Sequence, residues 1–316
     1  MAFVLVATMV LGRDATAAKP EDAPPESRAQ VDVALRALAP AWVKPDRKLS
    51  PRSPGSLEHA IRAFAPAKFH PVDEGTLPPP RASLVCPEEM ARVGGRVCVD
   101  RWEGTLVSRS ESGTEIPHSP YDVPDPSVRY VAKSRPDVVP QAFVSGSVAA
   151  DACRAAGKRL CTPVEWRMAC GGKDGTVYPY GPKAKPGVCR DHGAAPMLTF
   201  HQDSAKRGWG LTEMNDPRLN RLDDTVAKTG THAECVTNEG VFDMVGNLHE
   251  WTADTNGTFQ GGFWLDTSQH GDGCAYRTIA HPFAYHDYST GFRCCSDGTN
   301  RDDGTRADAG AGARVE

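Results

Sequence analysis

One segment, Gly240 to Asp254, restricts the local structure of this chain more than any other. It reads GVFDMVGNLHEWTAD and places two carboxylates, Asp243 and Glu250, on either side of Gly246-Asn247, a pair typical of a tight turn. Side-chain carboxylates and the carbonyl oxygens of such a turn can converge on a hard cation such as Ca²⁺. The alternative is a surface turn with a solvated Asp and Glu, and composition alone favours that alternative.

Further characteristic segments follow one another along the chain. They are AADACRAAGKRLCTPVEWRMACGG at 149–172, YPYG at 178–181, GGFW at 261–264, AYR at 275–277 and GFRC at 291–294. Together with DMVGNLHEW they resemble the signature of the formylglycine-generating (sulfatase-modifying factor) enzyme family, over about two thirds of the chain. The resemblance implies a mixed α+β fold, a loop-rich and disulfide-bonded variant of the C-type-lectin-like fold.

The resemblance also assigns residues to a cation site. It implies one Ca²⁺ held by the carboxylates of Asp243 and Glu250 and by the carbonyl oxygens of Gly246 and Leu248. His249 stands where many relatives have tryptophan, and we interpret it as a packing substitution beside this loop unless a ligand pocket lies next to it.

Composition divides the chain into four parts. The first, 1–18, resembles a secretion signal, because Phe3 to Leu11 is apolar and Ala15-Thr16-Ala17 offers small residues to a peptidase; a frayed helix is the alternative. The others are a Pro- and Ala-rich linker at 19–83 with short helices near 30–38 and 57–64, the family-like domain at 84–297 and a disordered tail at 298–316.

Charge and hydropathy exclude some classes of partner. The net charge of −4 comes from interspersed signs without a Lys/Arg stripe, so we expect no nucleic-acid binding. The sequence has no apolar stretch of about 18 residues, so we expect no transmembrane segment. We expect an exported protein, periplasmic or extracellular at a bacterial cell envelope, with a protein, peptide or glycan ligand. The sequence does not give the oligomeric state.

Local signals predict several elements of the domain. A helix is predicted at 148–156, capped by Ser147, and a second at 163–170, where Thr162 and Glu165 form a capping box. Strands are predicted at 96–103, 263–265 and 291–295.

Ten cysteines behind a signal-like start indicate disulfide bonds. The alternative of reduced thiols in a cytosolic protein stays open, whereas a metal cluster is disfavoured because no Cys-x-x-Cys pair is present. Cys86 and Cys98 flank Gly94-Gly95, a pair typical of a hairpin turn, and we expect them to pair. For the other eight cysteines, spacing alone leaves the connectivity open.

The family resemblance narrows that choice. It implies the pairs Cys153–Cys294 and Cys170–Cys274, which would tie the two predicted helices to the C-terminal part of the domain. For the last four cysteines we expect Cys189–Cys235 and Cys161–Cys295, and other pairings of these four remain possible.

Copper-dependent oxidases of this family carry two reactive cysteines between the GG element and the following arginine, and these thiolates bind Cu(I). In this chain the stretch 261–277 holds one cysteine, Cys274, which the resemblance assigns to a structural disulfide. Asp266 and Gly271, or their neighbours, stand at the reactive positions. We therefore name no catalytic residue and expect no formylglycine generation by the usual chemistry.

The same region carries a polar candidate cleft, and two functions compete for it. Its residues are Trp264, Asp266, His270, Tyr276, Arg277, His281, His286 and Arg293. The first function is a non-catalytic, calcium-stabilised binding or scaffolding module. The alternative is a divergent metal-dependent oxidoreductase or modifying enzyme, with iron or copper and chemistry like that of formylglycine-generating enzymes or sulfoxide synthases. Convergence of two histidines and a carboxylate would favour the enzyme, and histidines that splay into solvent would favour the binding module.

Overall fold

The computed structural model describes residues 71–300. The signal-like segment, both predicted linker helices and the tail beyond residue 300 lie outside the described residues. Contacts of the domain reach past the interval 84–297 at both ends. Asn256 donates a side-chain hydrogen bond to the carbonyl of Pro71 at 3.2 Å, and Thr299–Asn300 pairs with Leu84–Val85 as a strand.

The described chain has short strands separated by long loops. The strands are β1 Leu84–Val85, β2 Met90–Val93, β3 Val97–Asp100, β4 Gly104–Arg109, β5 Glu115–Pro117, β6 Tyr130–Ser134, β7 Arg159–Leu160, β8 His249–Trp251, β9 Phe259–Gln260, β10 Arg277–Thr278, β11 Thr290–Phe292, β12 Cys294–Ser296 and β13 Thr299–Asn300. The α-helices are α1 Gly146–Ala155, α2 Pro163–Gly171, α3 Pro196–His201 and α4 Leu211–Met214.

The strands form small sheets that bring distant parts of the chain together. Two of them have four strands, in the orders β2-β3-β12-β7 and β10-β9-β8-β11. A third sheet has the order β5-β4-β6, and β1 pairs with β13. Within the second sheet β8 and β11 run parallel, with Glu250 opposite Gly291. The motif loop and the C-terminal segment therefore meet side by side.

The helix predictions are confirmed with a correction to one cap. α1 begins two residues earlier than predicted, and its N-cap is Ser145, whose hydroxyl accepts from the backbone N–H of Val148. Ser147 lies inside the first turn. The capping box of α2 is present as predicted, with Thr162 and Glu165 bonding each other's backbone N–H groups.

The strand predictions were less accurate. The predicted strand 96–103 is the shorter β3, and the chain turns before β4 begins at Gly104. The predicted strand 263–265 is wrong, because Phe263 forms only an isolated bridge to Asp266. The predicted strand 291–295 is split between β11 and β12 at Arg293, whose side chain is completely buried. A buried guanidinium needs partners in the core, and the break in the strand lets it reach them.

The core is built around tryptophans and disulfides. Trp166 of α2, Trp251 of β8 and Trp264 are fully buried. The ten cysteines form the disulfides Cys86–Cys98, Cys153–Cys294, Cys161–Cys295, Cys170–Cys274 and Cys189–Cys235, the same five pairs that the sequence analysis expected. One of these, Cys170–Cys274, fastens the long loop between β9 and β10 to the end of α2.

Candidate functional site

The motif loop before β8 is tight because it packs against another backbone segment. The N–H of Asn247 donates to the carbonyl of Arg190 at 2.8 Å. A Cβ atom on Gly246 would lie 2.0 Å from that same carbonyl oxygen, and Gly246 has a φ of +80°. Only glycine fits such a position. The turn that the sequence predicted at Gly246-Asn247 is therefore fixed by packing as well as by local conformation.

Glu250 at the centre of β8 is an anchor of the buried core. Its two carboxylate oxygens accept from Nε and Nη2 of Arg293, each at 2.6 Å. Trp166 Nε1 also donates to Glu250 Oε2 at 2.7 Å. Burial acts to lower the pKa of Arg293, but the charge and hydrogen bonds of Glu250 outweigh it and hold the guanidinium in its charged form.

Two further carboxylates lie near this ion pair. Asp243 accepts from the N–H of Gly230 at 2.6 Å, and Glu103 accepts from the side-chain amide of Asn247 at 2.6 Å. Glu103 is completely buried and Asp243 is 3% exposed. Burial raises the pKa of Asp243 to about 6, with the neighbouring Glu250 adding to the effect. Burial, Asp243 and Glu250 together raise the pKa of Glu103 well above its usual value.

We call Glu103, Asp243, Glu250 and Arg293 the acidic cluster. Its one guanidinium is bonded to Glu250, and Glu103 and Asp243 lie near enough to interact with its charge, so the cluster carries excess negative charge when all three carboxylates are ionised. The sequence analysis missed Glu103, because an acid at the end of the predicted strand 96–103 looks the same as a solvated one. Within residues 71–300 no group of three or more His, Cys, Asp or Glu side chains is placed to hold a metal ion by itself. A cation here would need the loop carbonyls as well.

The predicted cleft does not form as one surface. Trp264 and Arg293 were assigned to it, but both are fully buried. Trp264 Nε1 donates to the carbonyl of Ala194 at 2.9 Å, and Arg293 belongs to the acidic cluster. His286 lies elsewhere, with Nδ1 at 2.7 Å from Oδ1 of Asn215. The burial of Arg293 could not be predicted from the sequence pattern, since charged side chains are rarely found in a core.

Asp266 organises the backbone of the loop between β9 and β10. Its Oδ1 accepts from the N–H groups of Ser268 and Gln269 at 3.1 and 2.9 Å, and its Oδ2 accepts from the hydroxyl of Tyr276 at 2.8 Å. Burial and the Asp266 carboxylate raise the pKa of Tyr276, so its hydroxyl stays protonated. Both oxygens of Asp266 are therefore engaged in holding the loop.

The remaining cleft residues line a cavity of about 550 Å³, which we call the loop pocket. Its lining consists of His270, Ala275, Arg277, Thr278, Ile279 and His281. Two of the three predicted histidines therefore meet there, but the described residues that line the pocket include no carboxylate. Burial lowers the pKa of His281, with His270 adding to the effect, while Asp287 and the carbonyl of Ile279 oppose it.

His249 lies behind this pocket in an aromatic layer. Its ring centroid is 4.7 Å from that of Phe259, 5.0 Å from Phe263 and 5.5 Å from Tyr276. Burial lowers the pKa of His249 to about 3, so the imidazole is neutral. These contacts agree with a packing role, but the adjacent pocket and the buried, unpartnered Nδ1 leave the alternative role at a ligand pocket open.

Comparison with known proteins identifies the family. The family model for the sulfatase-modifying factor enzyme 1-like domain matches residues 109–298. A curated mouse (Mus musculus) protein, "Inactive C-alpha-formylglycine-generating enzyme 2", is 31% identical over 173 residues. That match covers 50% of this chain and 49% of the relative, so the chain spans about half the length of that protein.

Solved structures also match, at low similarity. The Major Tropism Determinant I1 variant aligns with a TM-score of 0.39 at 14% identity over 68% of this chain and 54% of that chain. The P3c variant aligns with a TM-score of 0.38 at 16% identity over the same shares, 68% and 54%. The family model covers more than half of the chain, and we conclude from it that this protein belongs to the sulfatase-modifying factor family and has its C-type-lectin-like mixed α/β fold.

Proposed function

We propose that this domain is a non-catalytic, calcium-stabilised recognition module that binds its ligand at the loop pocket. The observation that carries the proposal is the state of the cysteines: all ten are in disulfides. A copper oxidase of this family uses thiolates to bind Cu(I). Since all ten cysteines are in disulfides, none of them can supply a thiolate to Cu(I).

The geometry at the two former reactive positions supports this proposal. Asp266 uses both carboxylate oxygens to hold its own loop. Gly271 has a φ of +113°, and a Cβ atom there would lie 2.6 Å from the carbonyl oxygen of Ala275. A cysteine at position 271 would therefore need a different loop backbone. The mouse relative, named as inactive, is consistent with a family branch that lacks the chemistry.

Calcium is the second part of the proposal. The acidic cluster fits a divalent cation in charge, since it sets three buried carboxylates against one guanidinium. Asp243 and the carbonyl oxygens of Gly246 and Leu248 would supply most of the ligands, with Glu250 shared between the ion and Arg293. Oxygen atoms of this kind suit Ca²⁺. The ion would offset the excess charge and stiffen the motif loop.

Export is the third part. Five disulfides suit an oxidising compartment such as the periplasm or the extracellular space. No helix among residues 71–300 has the length and apolar character to cross a bilayer.

An oxidation assay tests the absence of catalysis. The purified chain is incubated with Cu(I), O₂ and a cysteine-containing peptide, and aldehyde formation is followed by mass spectrometry. We expect no aldehyde above the level of a boiled sample. Aldehyde formation above that level would refute the non-catalytic assignment.

Thermal unfolding with and without a chelator tests calcium. With Ca²⁺ at about 100 times its dissociation constant, linkage predicts about 2.7 kcal/mol of added stability. We expect EDTA to lower Tm and Ca²⁺ to restore it, whereas Mg²⁺ at the same concentration does not. An unchanged Tm would remove calcium from the proposal and leave the recognition module in place.

A further inference from the structure

A short acidic segment at the start of the described chain lies beside the loop pocket. The carbonyl of Glu74 accepts from the N–H of Val164 at 3.0 Å. That N–H is in the first turn of α2, where backbone donors have no partner within the helix. The carbonyl of Pro71 accepts from the side chain of Asn256 at 3.2 Å. Residues 71–75 are thus held in part by backbone carbonyls, which any extended peptide would offer.

The side chain of Glu74 joins two arginines. One carboxylate oxygen is 2.7 Å from Nη2 of Arg167, and the other is 2.6 Å from Nη1 of Arg277. Burial acts to raise the pKa of Glu74, but the hydrogen bonds and charges of the two arginines outweigh it and keep the carboxylate ionised. Arg277 also lines the loop pocket. The Glu74 carboxylate therefore neutralises Arg277, which would otherwise present its positive charge at the loop pocket.

This attachment is shallow. The side chains of Arg167 and Arg277 are 33% and 35% exposed, and that of Glu74 is 43% exposed. Pro71, Asp73 and Gly75 are exposed as well, whereas Val72 is half-buried and Gly75 lies against the side chain of Thr162. Ion pairs between partly exposed groups contribute little to stability. Another carboxylate could replace Glu74 without disturbing the core.

We infer that Arg167 and Arg277 form a docking site for an acidic peptide of a partner protein, and that residues 71–75 occupy this site when the partner is absent. The inference rests on the proposed function, since it names the ligand class of the loop pocket. A peptide fits better than other anions because the present occupant is itself a peptide. It uses one carboxylate and one backbone carbonyl, at Glu74, to make its principal contacts. His270 and His281 stand beside Arg277 and would add positive charge when protonated.

An internal occupant competes with an external ligand. A tethered group has an effective concentration in the millimolar range when its linker is short. The wild-type chain should therefore bind an acidic peptide weakly, and removal of the Glu74 carboxylate should expose the site.

The test uses a peptide with the sequence of residues 71–77, PVDEGTL, with blocked ends and a fluorescent label. It is titrated onto the full-length wild-type chain and onto Glu74→Gln and Glu74→Ala, and binding is followed by anisotropy. We expect both variants to bind the peptide about tenfold more tightly than the wild type, with an affinity that falls as salt rises. Glu111→Gln, in the exposed turn between β4 and β5, is the matched control and should behave as the wild type.

Two further samples separate specific docking from general attraction. A peptide with Gln in place of its Glu should bind Glu74→Gln no more tightly than it binds the wild type. The double variant Glu74→Gln/Arg277→Gln should likewise bind the original peptide no more tightly than the wild type does. The peptide control stands by itself if the double variant fails to fold.

Equal binding by wild type and Glu74→Ala, or no binding by either, would overturn the inference. Tighter binding of a uronic-acid oligosaccharide than of the peptide would overturn the peptide assignment. None of these outcomes bears on the thiol oxidation assay, so failure of the docking site and failure of the non-catalytic assignment can be told apart.

Discussion

The acidic cluster and the loop pocket draw on the same four-stranded sheet but differ in how their charges are satisfied. In the cluster, Glu250 of β8 has two bonds to Arg293 and one to Trp166, all within the core. In the pocket, Arg277 of β10 pairs with Glu74, a partly exposed side chain on residues 71–75. Charges in the first region have fixed partners and hold the framework together. The charged groups at the loop pocket are partly exposed, so another carboxylate can replace Glu74, as the proposed recognition surface requires.

The largest expected effect comes from breaking the cluster. Arg293→Gln leaves three buried carboxylates without their guanidinium, and removal of one member of a buried pair typically costs about 3–5 kcal/mol. Urea unfolding in calcium-containing buffer measures the loss. Arg154→Gln, which breaks the exposed pair with Asp151, is the control and should change stability little. A loss for Arg293→Gln as small as that of the control would mean that the cluster is not the framework of the domain.

A smaller effect is expected at Gly271, in the loop between β9 and β10. Gly271→Ala adds a Cβ atom that meets the carbonyl of Ala275, at a backbone conformation unfavourable to alanine. We expect a loss of about 1–3 kcal/mol in the free energy of unfolding.

Gly113→Ala is the matched control for this substitution. Gly113 also has a positive φ, but no atom lies within 4 Å of a Cβ placed there. The difference between the two variants isolates the steric contact. If Gly271→Ala is no worse than Gly113→Ala, the loop can accommodate a side chain, and a cysteine at position 271 becomes conceivable.

The smallest effect is a pH dependence at the pocket. Burial places the pKa of His281 below its usual value in the folded protein, with His270 adding and with Asp287 and the Ile279 carbonyl opposing. The unfolded chain therefore binds this proton more readily, and the stability that neutral His281 contributes is present above about pH 6.5 and is lost as the pH falls.

The variant His281→Asn should reduce this slope, and the buried His249, whose pKa burial lowers to about 3, keeps part of it. Urea midpoints between pH 7.5 and 5.5 measure it, and His192→Asn, at an exposed histidine outside the pocket, serves as the comparison. We expect a change well below about 1.4 kcal/mol per pH unit, the limit for one fully coupled proton. A slope as steep in His281→Asn as in the wild type would assign the pH dependence to other groups.

The sequence predicted the parts of these two regions that depend on local or family patterns, and it missed the parts that depend on contacts between distant residues. Capping residues and some disulfide partners obey local or family patterns, so α2 and the pairs Cys86–Cys98, Cys153–Cys294 and Cys170–Cys274 could be anticipated. No such pattern distinguished the other two pairs, which the structure nevertheless forms as expected. Glu103 could not, because it joins the acidic cluster through a contact 144 positions away, with Asn247. Glu74 could not either, since its two arginines come from α2 and β10, and the segment looked like part of a linker. Trp264 was misplaced because an aromatic residue in a loop motif gives no sign of its burial.

On the proposed function, this protein keeps the family scaffold without the reactive thiols. Alkylation of the purified chain without reductant, in native buffer and in denaturant, followed by intact mass measurement, tests it most directly. We predict no added alkyl group in either sample, and ten after reduction. Alkylation of Cys274 in the native protein would contradict the account and restore the copper-oxidase interpretation.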